Sequence, residues 1–321
     1  MKVTAMAGTQ DIAMVYLAEM GAGKYIEFVE SVQPPVPKEE KWVLILSTLF
    51  GCPVGCAICD AGGWYQGKLS KEEILAQVDY LVEKYFPGGT VPVRKFKIQF
   101  SRMGEPALNP DVLAVLETLP SRYDAPGLLP SLSTVAPKGS EFFFERLLEI
   151  KNQYYSYGRF QLQFSLHSTD SAQRDKWVPV KKWEFNQIAS YGRRFYNREQ
   201  GDRKITLNFA LAEDTRLSVP KLLGRFDPAV FMIKITPVNP TVRALQNEIV
   251  NEVKGDSPAD EPGIAGLLRA AGYDVIVSIG EREENKIGSN CGQYIKRFLE
   301  TESSRLMDSY EYGLEETKNR G

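Results

Sequence analysis

The chain has 321 residues, 43% hydrophobic and 25% charged, the make-up of an ordinary soluble globular protein with room for one α/β barrel or two smaller domains. Its 39 basic and 41 acidic residues leave a net charge of -2, so no overall field draws it to a polyanion, and nucleic-acid binding would need a local patch. Four cysteines, three of them clustered, suit metal ligation in a reducing compartment better than a disulfide framework. No apolar run reaches membrane-spanning length, and Gln10, Asp11 and Glu19 interrupt any apolar core of a signal peptide, so a cytoplasmic protein without leader or anchor is expected.

In chain order, segments 12–16 and 25–32, separated by Gly21-Ala-Gly23, read as two short strands joined by a glycine turn, a hairpin placed to cap a barrel. Prolines at 34–37 and the charges of 38–41 end it before an apolar strand at 42–47. From there strands and helices alternate. A helix at 71–85 carries Ile74, Val78 and Leu81 at helical spacing, with Ser70 as its N-cap and Glu73 as the capping-box partner. A strand at 96–100, a helix at 111–119, a strand at 129–133 and a helix at 141–150 follow. Strands at 160–166, 205–211 and 231–236, with a helix at 183–196 before the second of them, bring the count to six strand-helix units.

This alternation predicts an α/β fold, a partial (βα)6 TIM-like barrel with its chemistry at the C-terminal ends of the strands. A turn-rich loop at 255–262, a helix at 263–271, a late strand at 273–279 and a charged loop at 280–290 come next. The polar tail from Glu300 is either helical or without fixed structure. The expected organisation is an N-terminal hairpin extension over 1–40, a barrel with a C-terminal cysteine loop over 41–300, and a tail over 301–321.

Just after the first barrel strand, Cys52, Cys56 and Cys59 stand at C-x3-C-x2-C spacing. Thiolates are soft donors that favour zinc or iron-sulfur, and a cubane cluster normally takes four cysteines, so three leave one iron without a protein ligand. A structural zinc site calls for a further cysteine or histidine about a dozen residues on, and none follows Cys59 in that range. Cys56-Ala-Ile-Cys59 alone can be a thioredoxin-like redox pair, a reading that leaves Cys52 idle. The triplet resembles the signature of radical S-adenosylmethionine (SAM) enzymes. That resemblance implies a 4Fe-4S cluster on the three cysteines, chelation of its open iron by SAM, and reductive cleavage of the sulfonium.

Further motifs occur in a telling order. Gly104-Glu105-Pro106 follows the second strand, Leu132-Ser-Thr134 the third, Ser165-Leu-His167 the fourth, with Arg174-Asp175 and Val178-Pro179 behind it. Pro237-Val-Asn239-Pro240 follows the sixth strand, and Cys291-Gly-Gln293 lies near the C-terminus. Over about residues 12 to 298 this series resembles the RlmN/Cfr family of radical SAM methyltransferases, which methylate an adenine carbon of ribosomal RNA. Glu105 at a strand end can accept a hydrogen bond from the SAM ammonium, and Gly104 permits close backbone approach. Ser133, Ser165 and Asn239 can bond ribose hydroxyls or the carboxylate; capping and turn formation are their alternative roles. His167, the single histidine, lines the SAM pocket by the resemblance and is otherwise a hydrogen-bonded core residue. The resemblance implies that Cys291 accepts a methyl from one SAM, and that a 5'-deoxyadenosyl radical from a second abstracts hydrogen from that S-methyl before it adds to substrate. The alternative for Cys291 is an inert buried thiol.

Two features depart from the family. Its members carry a second cysteine seven residues before the first cluster ligand, where this chain has Ile45, and they have a helical N-terminal domain that helps grip RNA. Basic clusters at Lys181-Lys182, Arg193-Arg194 and Arg203-Lys204 can touch phosphates or form solvated helix faces. The expected activity is methyl or methylene transfer to an unactivated carbon through Cys291, on RNA, a small molecule or a protein, with a flavodoxin or ferredoxin as electron donor. The rivals are a non-methylating hydrogen abstraction or rearrangement on the same fold, and a non-catalytic iron-sulfur protein that binds RNA or regulates.

Overall fold

The computed structural model describes residues 1–249, 263–278, 282–289, 294–295 and 315–317. The loop expected at 255–262, Cys291 and most of the tail lie outside the described residues.

Three strands open the chain, β1 (Lys2–Thr9), β2 (Ala13–Gly21) and β3 (Lys24–Ser31). Next come β4 (Trp42–Leu46), the short β5 (Leu49–Gly51) and β6 (Tyr65–Lys68), and then α1 (Lys71–Tyr85) and β7 (Phe96–Phe100). The alternation continues through α2 (Asp111–Arg122), β8 (Leu128–Thr134), α3 (Glu141–Tyr154), β9 (Gln161–Ser165), α4 (Ser171–Trp177) and α5 (Phe185–Phe195). It ends with β10 (Ile205–Leu211), α6 (Val219–Leu223), β11 (Phe231–Pro237), α7 (Val242–Gln246), α8 (Ile264–Ala270), β12 (Val275–Val277), α9 (Arg282–Ile287) and β13 (Glu315–Glu316).

One sheet holds eleven of these strands in the order β12-β11-β10-β9-β8-β7-β4-β3-β2-β1-β13. The run from β4 to β12 is parallel throughout, which is the expected α/β barrel sheet, left open at its edges among the described residues. The late strand is itself parallel and adds a seventh member to this run, with Ile233 opposite Val275. No helix of the described residues is long and apolar enough to cross a membrane.

The expected two-stranded hairpin is a three-stranded antiparallel meander, and it extends the sheet sideways rather than capping it, because β3 pairs with β4 at Val29 and Ile45. β1 leaves little signal in the sequence because its inward residues are small: Ala5 and Ala7 are buried with little apolar bulk to mark the period. The charged loop expected at 280–290 contains α9, whose one apolar anchor, Ile287, is buried against Ala7, Ala13, Val15 and Val29. Of the tail, Glu315 and Glu316 pair with β1 as an edge strand. At α1 the expected capping box is present, with Ser70 Oγ accepting from Glu73 N at 3.2 Å and Glu73 Oε2 accepting from Ser70 N at 2.8 Å.

The parallel strands alternate in an informative way. On β7, Phe96, Ile98 and Phe100 are buried in the main core, while Lys97 and Gln99 face the other way. β9 and β11 repeat the pattern, with Gln161, Gln163 and Ser165, and Lys234 and Thr236, opposite their buried apolar residues. Strands covered on both faces normally read as continuous apolar runs, so a polar inner face signals a cavity inside the barrel rather than a packed centre.

Candidate functional site

The cysteine loop leaves β5 at Gly51, whose φ of 75° and closeness to Trp64 O, 2.0 Å from where a Cβ would stand, admit only glycine. Cys52 N then donates to Trp64 O at 3.1 Å, and Ala57 N to Trp177 O at 2.8 Å. A second set of bonds comes from α7. Arg243 Nε donates to Cys56 O and its Nη2 to Gly55 O, both at 3.1 Å, while Asn247 Nδ2 donates to Ala57 O at 3.0 Å. In return Asp60, the residue after Cys59, caps that helix by accepting from Val242 N at 3.1 Å and Arg243 N at 2.9 Å. The loop carrying the three thiols is therefore fixed by groups about 180 residues away, in keeping with the need to hold ligands on an otherwise irregular segment.

A cavity of about 320 Å³ at the C-terminal ends of the strands is lined by Cys52, Cys56 and Cys59 together with Gly104, Glu105, Ser133, Ser165, His167 and Asn239. All three cysteines are free thiols. Burial pushes Cys52 up to about 11 and Cys56 up to about 12, with Cys52 and Glu105 adding to the rise at Cys56. Such thiols stay protonated unless a metal takes the proton's place, since a coordinating thiol is deprotonated outright. Among the described residues no group of three or more His, Cys, Asp and Glu side chains is drawn together as a single ion would require. Three soft donors around one cavity, held by a braced loop but not converging on a point, fit a cluster whose irons are separate atoms.

Glu105 is 4% exposed and already well used by the protein. Its Oε1 accepts from Ala107 N at 3.1 Å and from Thr134 Oγ1 at 2.5 Å, and its Oε2 accepts from Val135 N at 2.8 Å. A carboxylate offers about four lone-pair sites, so one, on Oε2, remains for a ligand. Burial without a cation holds Glu105 up to about 7; an ammonium at that vacant site would favour the charged form. Gly104 has φ 102°, and a Cβ there would lie 2.5 Å from Leu49 Cγ and 2.8 Å from Thr48 Oγ1. The close approach it permits is thus to the β4–β5 connection.

His167 sits just past β9 in the left-handed region, φ 62°, with Nδ1 accepting from Ala210 N at 3.2 Å. Burial, helped by Arg174, lowers it to about 4, so the imidazole is neutral and its proton lies on Nε2. The two readings of this residue, core histidine and pocket wall, are both satisfied: one nitrogen braces β10 while the residue lines the cavity. Ser133 and Ser165 line the cavity, and their hydroxyls make no hydrogen bond to the described residues. The Arg174–Pro179 stretch is scaffold: Arg174 Nη1 donates to Trp183 O at 2.8 Å and its guanidinium lies over the Phe185 ring.

Sequence reading missed Gln99, Arg102, Gln163, Asn208, Lys234 and Thr236, all of which line the cavity. Asn208 is 8% exposed and its Oδ1 has no hydrogen-bond partner among the described residues. The signal was there in the polar alternation of the parallel strands. Arg102 reaches further. Its Nη2 donates to Glu27 Oε2 at 2.6 Å, with both side chains almost wholly buried. Its Nη1 donates to Ser289 O at 2.8 Å and Gly288 O at 3.1 Å, while Glu27 Oε1 accepts from Ile295 N at 2.5 Å. Described residues on both sides of the Cys291 segment are thus tied to one ion pair at the cavity wall. Ile45 packs in the same apolar group as Ile287 and Tyr294. Of the basic clusters, Lys182, Arg194 and Lys204 pair with Asp175, Glu145 and Asp274. Arg203 lines a different cavity.

No protein-family model matches the chain. It is 26% identical over 260 residues, 78% of this chain and 72% of the other, to the protein named probable dual-specificity RNA methyltransferase RlmN in a Synechococcus species. It is 28% identical over 311 residues, 92% of this chain and 78% of the other, to the protein of the same name in Desulfitobacterium hafniense. Among solved structures, a radical SAM methyltransferase from Sphaerobacter thermophilus superposes with a TM-score of 0.63 at 21% identity, covering 91% of this chain and 80% of the other. That likeness establishes the fold.

Proposed function

We propose that this chain is a divergent member of the RlmN/Cfr family, a radical SAM methyltransferase that delivers a one-carbon unit to an unactivated carbon through Cys291. The observation that carries the proposal is the gathering of Cys52, Cys56, Cys59, Glu105, Ser133, Ser165, His167 and Asn239 around one cavity at the strand ends. Cys52, Cys56 and Cys59 would hold a 4Fe-4S cluster, and when bound it supplies the electron that opens the sulfonium of SAM. The protein's own groups then have definite tasks. The vacant site on Glu105 Oε2 accepts from the amino group of SAM, the hydroxyls of Ser133 and Ser165 and the amide of Asn239 orient its polar groups, and the neutral His167 offers Nε2–H as a donor without adding charge. Cys291 carries the methyl as a thioether. On either side of it in the sequence, Gly288, Ser289 and Ile295 hang from Arg102 and Glu27, and Arg102 lines the cavity.

RNA is the substrate class that the relatives' names suggest. Ile45 favours a second outcome on the same route, a long-lived Cys291–substrate bond, because an isoleucine side chain can neither attack sulfur nor accept a proton. Anaerobically purified protein should carry a methyl on Cys291 by peptide mass spectrometry. Cys291→Ala should keep its iron and still form 5'-deoxyadenosine under strong reduction while losing product methylation. Undiminished methylation by that variant would remove Cys291 from the reaction.

A further inference from the structure

Beneath the thiol-lined cavity, at the opposite ends of the same strands, lies a second one of about 490 Å³. Its walls are residues that immediately precede or begin the parallel strands. Lys41, Arg94, Lys95, Arg159 and Arg203 line it against a single carboxylate among the described residues, Glu40, which is paired with Arg94 at 3.2 Å. Lys95 and Lys97 begin the inward row of β7 that continues as Gln99 and Ser101, so this row joins the lower cavity to the upper one.

Among the described residues these charges are not balanced by carboxylates. Lys41 Nζ donates to Gln33 Oε1 and feels Glu284, Arg203 Nε donates to Gly158 O at 2.7 Å, and Arg159 Nε donates to Ser156 O at 3.2 Å. Asp274 is taken by Lys204 at 2.7 Å. The ammonium groups of Lys95 and Lys97 make no ion pair or hydrogen bond with the described residues. Burial, and then Lys234, Lys95, Lys41 and Arg203, push Lys97 down to about 7. Cations gathered in a low-dielectric hollow repel one another strongly, and an arrangement of this kind is relieved by a bound anion. At the rim Tyr157 is 77% exposed although it lines the cavity, on a backbone held at φ 64°. An exposed ring beside a cationic hollow is the pairing that stacks a base and holds its phosphate.

We propose that this lower mouth binds the phosphate of a nucleotide, with Lys95 as its principal ligand, Lys41, Arg159 and Arg203 around it, and Tyr157 stacking on the base. The volume is within the range of small-molecule sites. A free nucleotide and an RNA chain present the same chemistry, and the site stands whether or not the carbon-transfer reading holds.

The test uses the full, cluster-loaded chain with excess SAM and no reductant, so that the upper cavity is occupied. Calorimetry at fixed ionic strength with tripolyphosphate, ATP and a short single-stranded oligoadenylate should detect binding. Lys95→Met should weaken all three about tenfold or more, and Tyr157→Ala should weaken ATP and the oligonucleotide but leave tripolyphosphate unchanged. Folding is controlled by the thermal midpoint without anion, which Lys95→Met should hold or raise, and by Arg203→Gln at the exposed rim, which should also weaken the three probes. Tighter binding of the oligonucleotide than of ATP, with a salt slope, taken from the same titrations repeated over a salt series, that falls by about one in Lys95→Met, makes RNA the source; the reverse order makes it a free nucleotide. Absence of binding by all three probes, or equal affinities in wild type and Lys95→Met, overturns the site.

Discussion

His167 shows how much a single position can carry. Because it is the only histidine, its imidazole can be followed alone by proton NMR, and it should titrate near 4 rather than 6.5. The sign for stability follows from the lowered value. The unfolded chain binds the proton below 6.5 while the folded one refuses it until about 4, so this group's contribution is intact above 6.5 and is lost as pH falls toward 4. The loss amounts to about 3 kcal/mol at most. Glu105, held up to about 7, titrates across part of the same window with the opposite sign, so the difference between wild type and His167→Gln isolates the imidazole. Identical pH dependence in the two proteins would show that His167 is solvated.

At the scale of elements, the cysteine loop owes its shape to α7 as much as to its own residues. Arg243 and Asn247 supply donors to three successive loop carbonyls, of Gly55, Cys56 and Ala57, and Asp60 returns two acceptor contacts to the helix start. Arg243→Ala should therefore release iron to a chelator several-fold faster than wild type, with Arg243→Lys in between, since lysine provides a point charge without the fork. Unchanged release kinetics would mean that the loop holds its form alone. The capping box of α1 was legible because its partners are three residues apart; the α7 brace was not, because its two halves lie more than 180 residues apart.

Across the whole molecule, the Glu27–Arg102 pair joins the N-terminal meander, the segment before Gly104-Glu105 and the residues flanking Cys291. Breaking one member leaves the other charge buried and alone, so Glu27→Gln should cost about 3–5 kcal/mol in denaturant unfolding. The double variant Glu27→Leu/Arg102→Met should recover much of that loss, because it removes both charges and keeps bulk. A small effect for Glu27→Gln would indicate that water reaches the pair. If the pair also positions Cys291, the double variant should still form 5'-deoxyadenosine yet place less methyl on Cys291. The near-zero net charge conceals the basic lower mouth for a related reason: a sum over the chain is blind to where the sheet brings its cations together.

Local order was sufficient for the cysteine triplet, the strand-helix alternation and the sequence of strand-end motifs, because each is set by neighbours within a few residues and by the period of side chains along an element. That order also placed the strand-end residues Gly104, Glu105, Ser133, Ser165, His167 and Asn239 around one cavity with the cysteines, since a parallel sheet delivers all its C-terminal ends to one side. Tertiary structure alone decided the single vacant acceptor on Glu105, the protonated nitrogen of His167, the Oδ1 of Asn208 left without a hydrogen-bond partner among the described residues, and the convergence of Lys95 and Lys97 with Lys41 and Arg203. These depend on which remote groups fill each polar atom's remaining bonds and on how far water is excluded, and both are properties of the assembled sheet's inner face rather than of any segment within it.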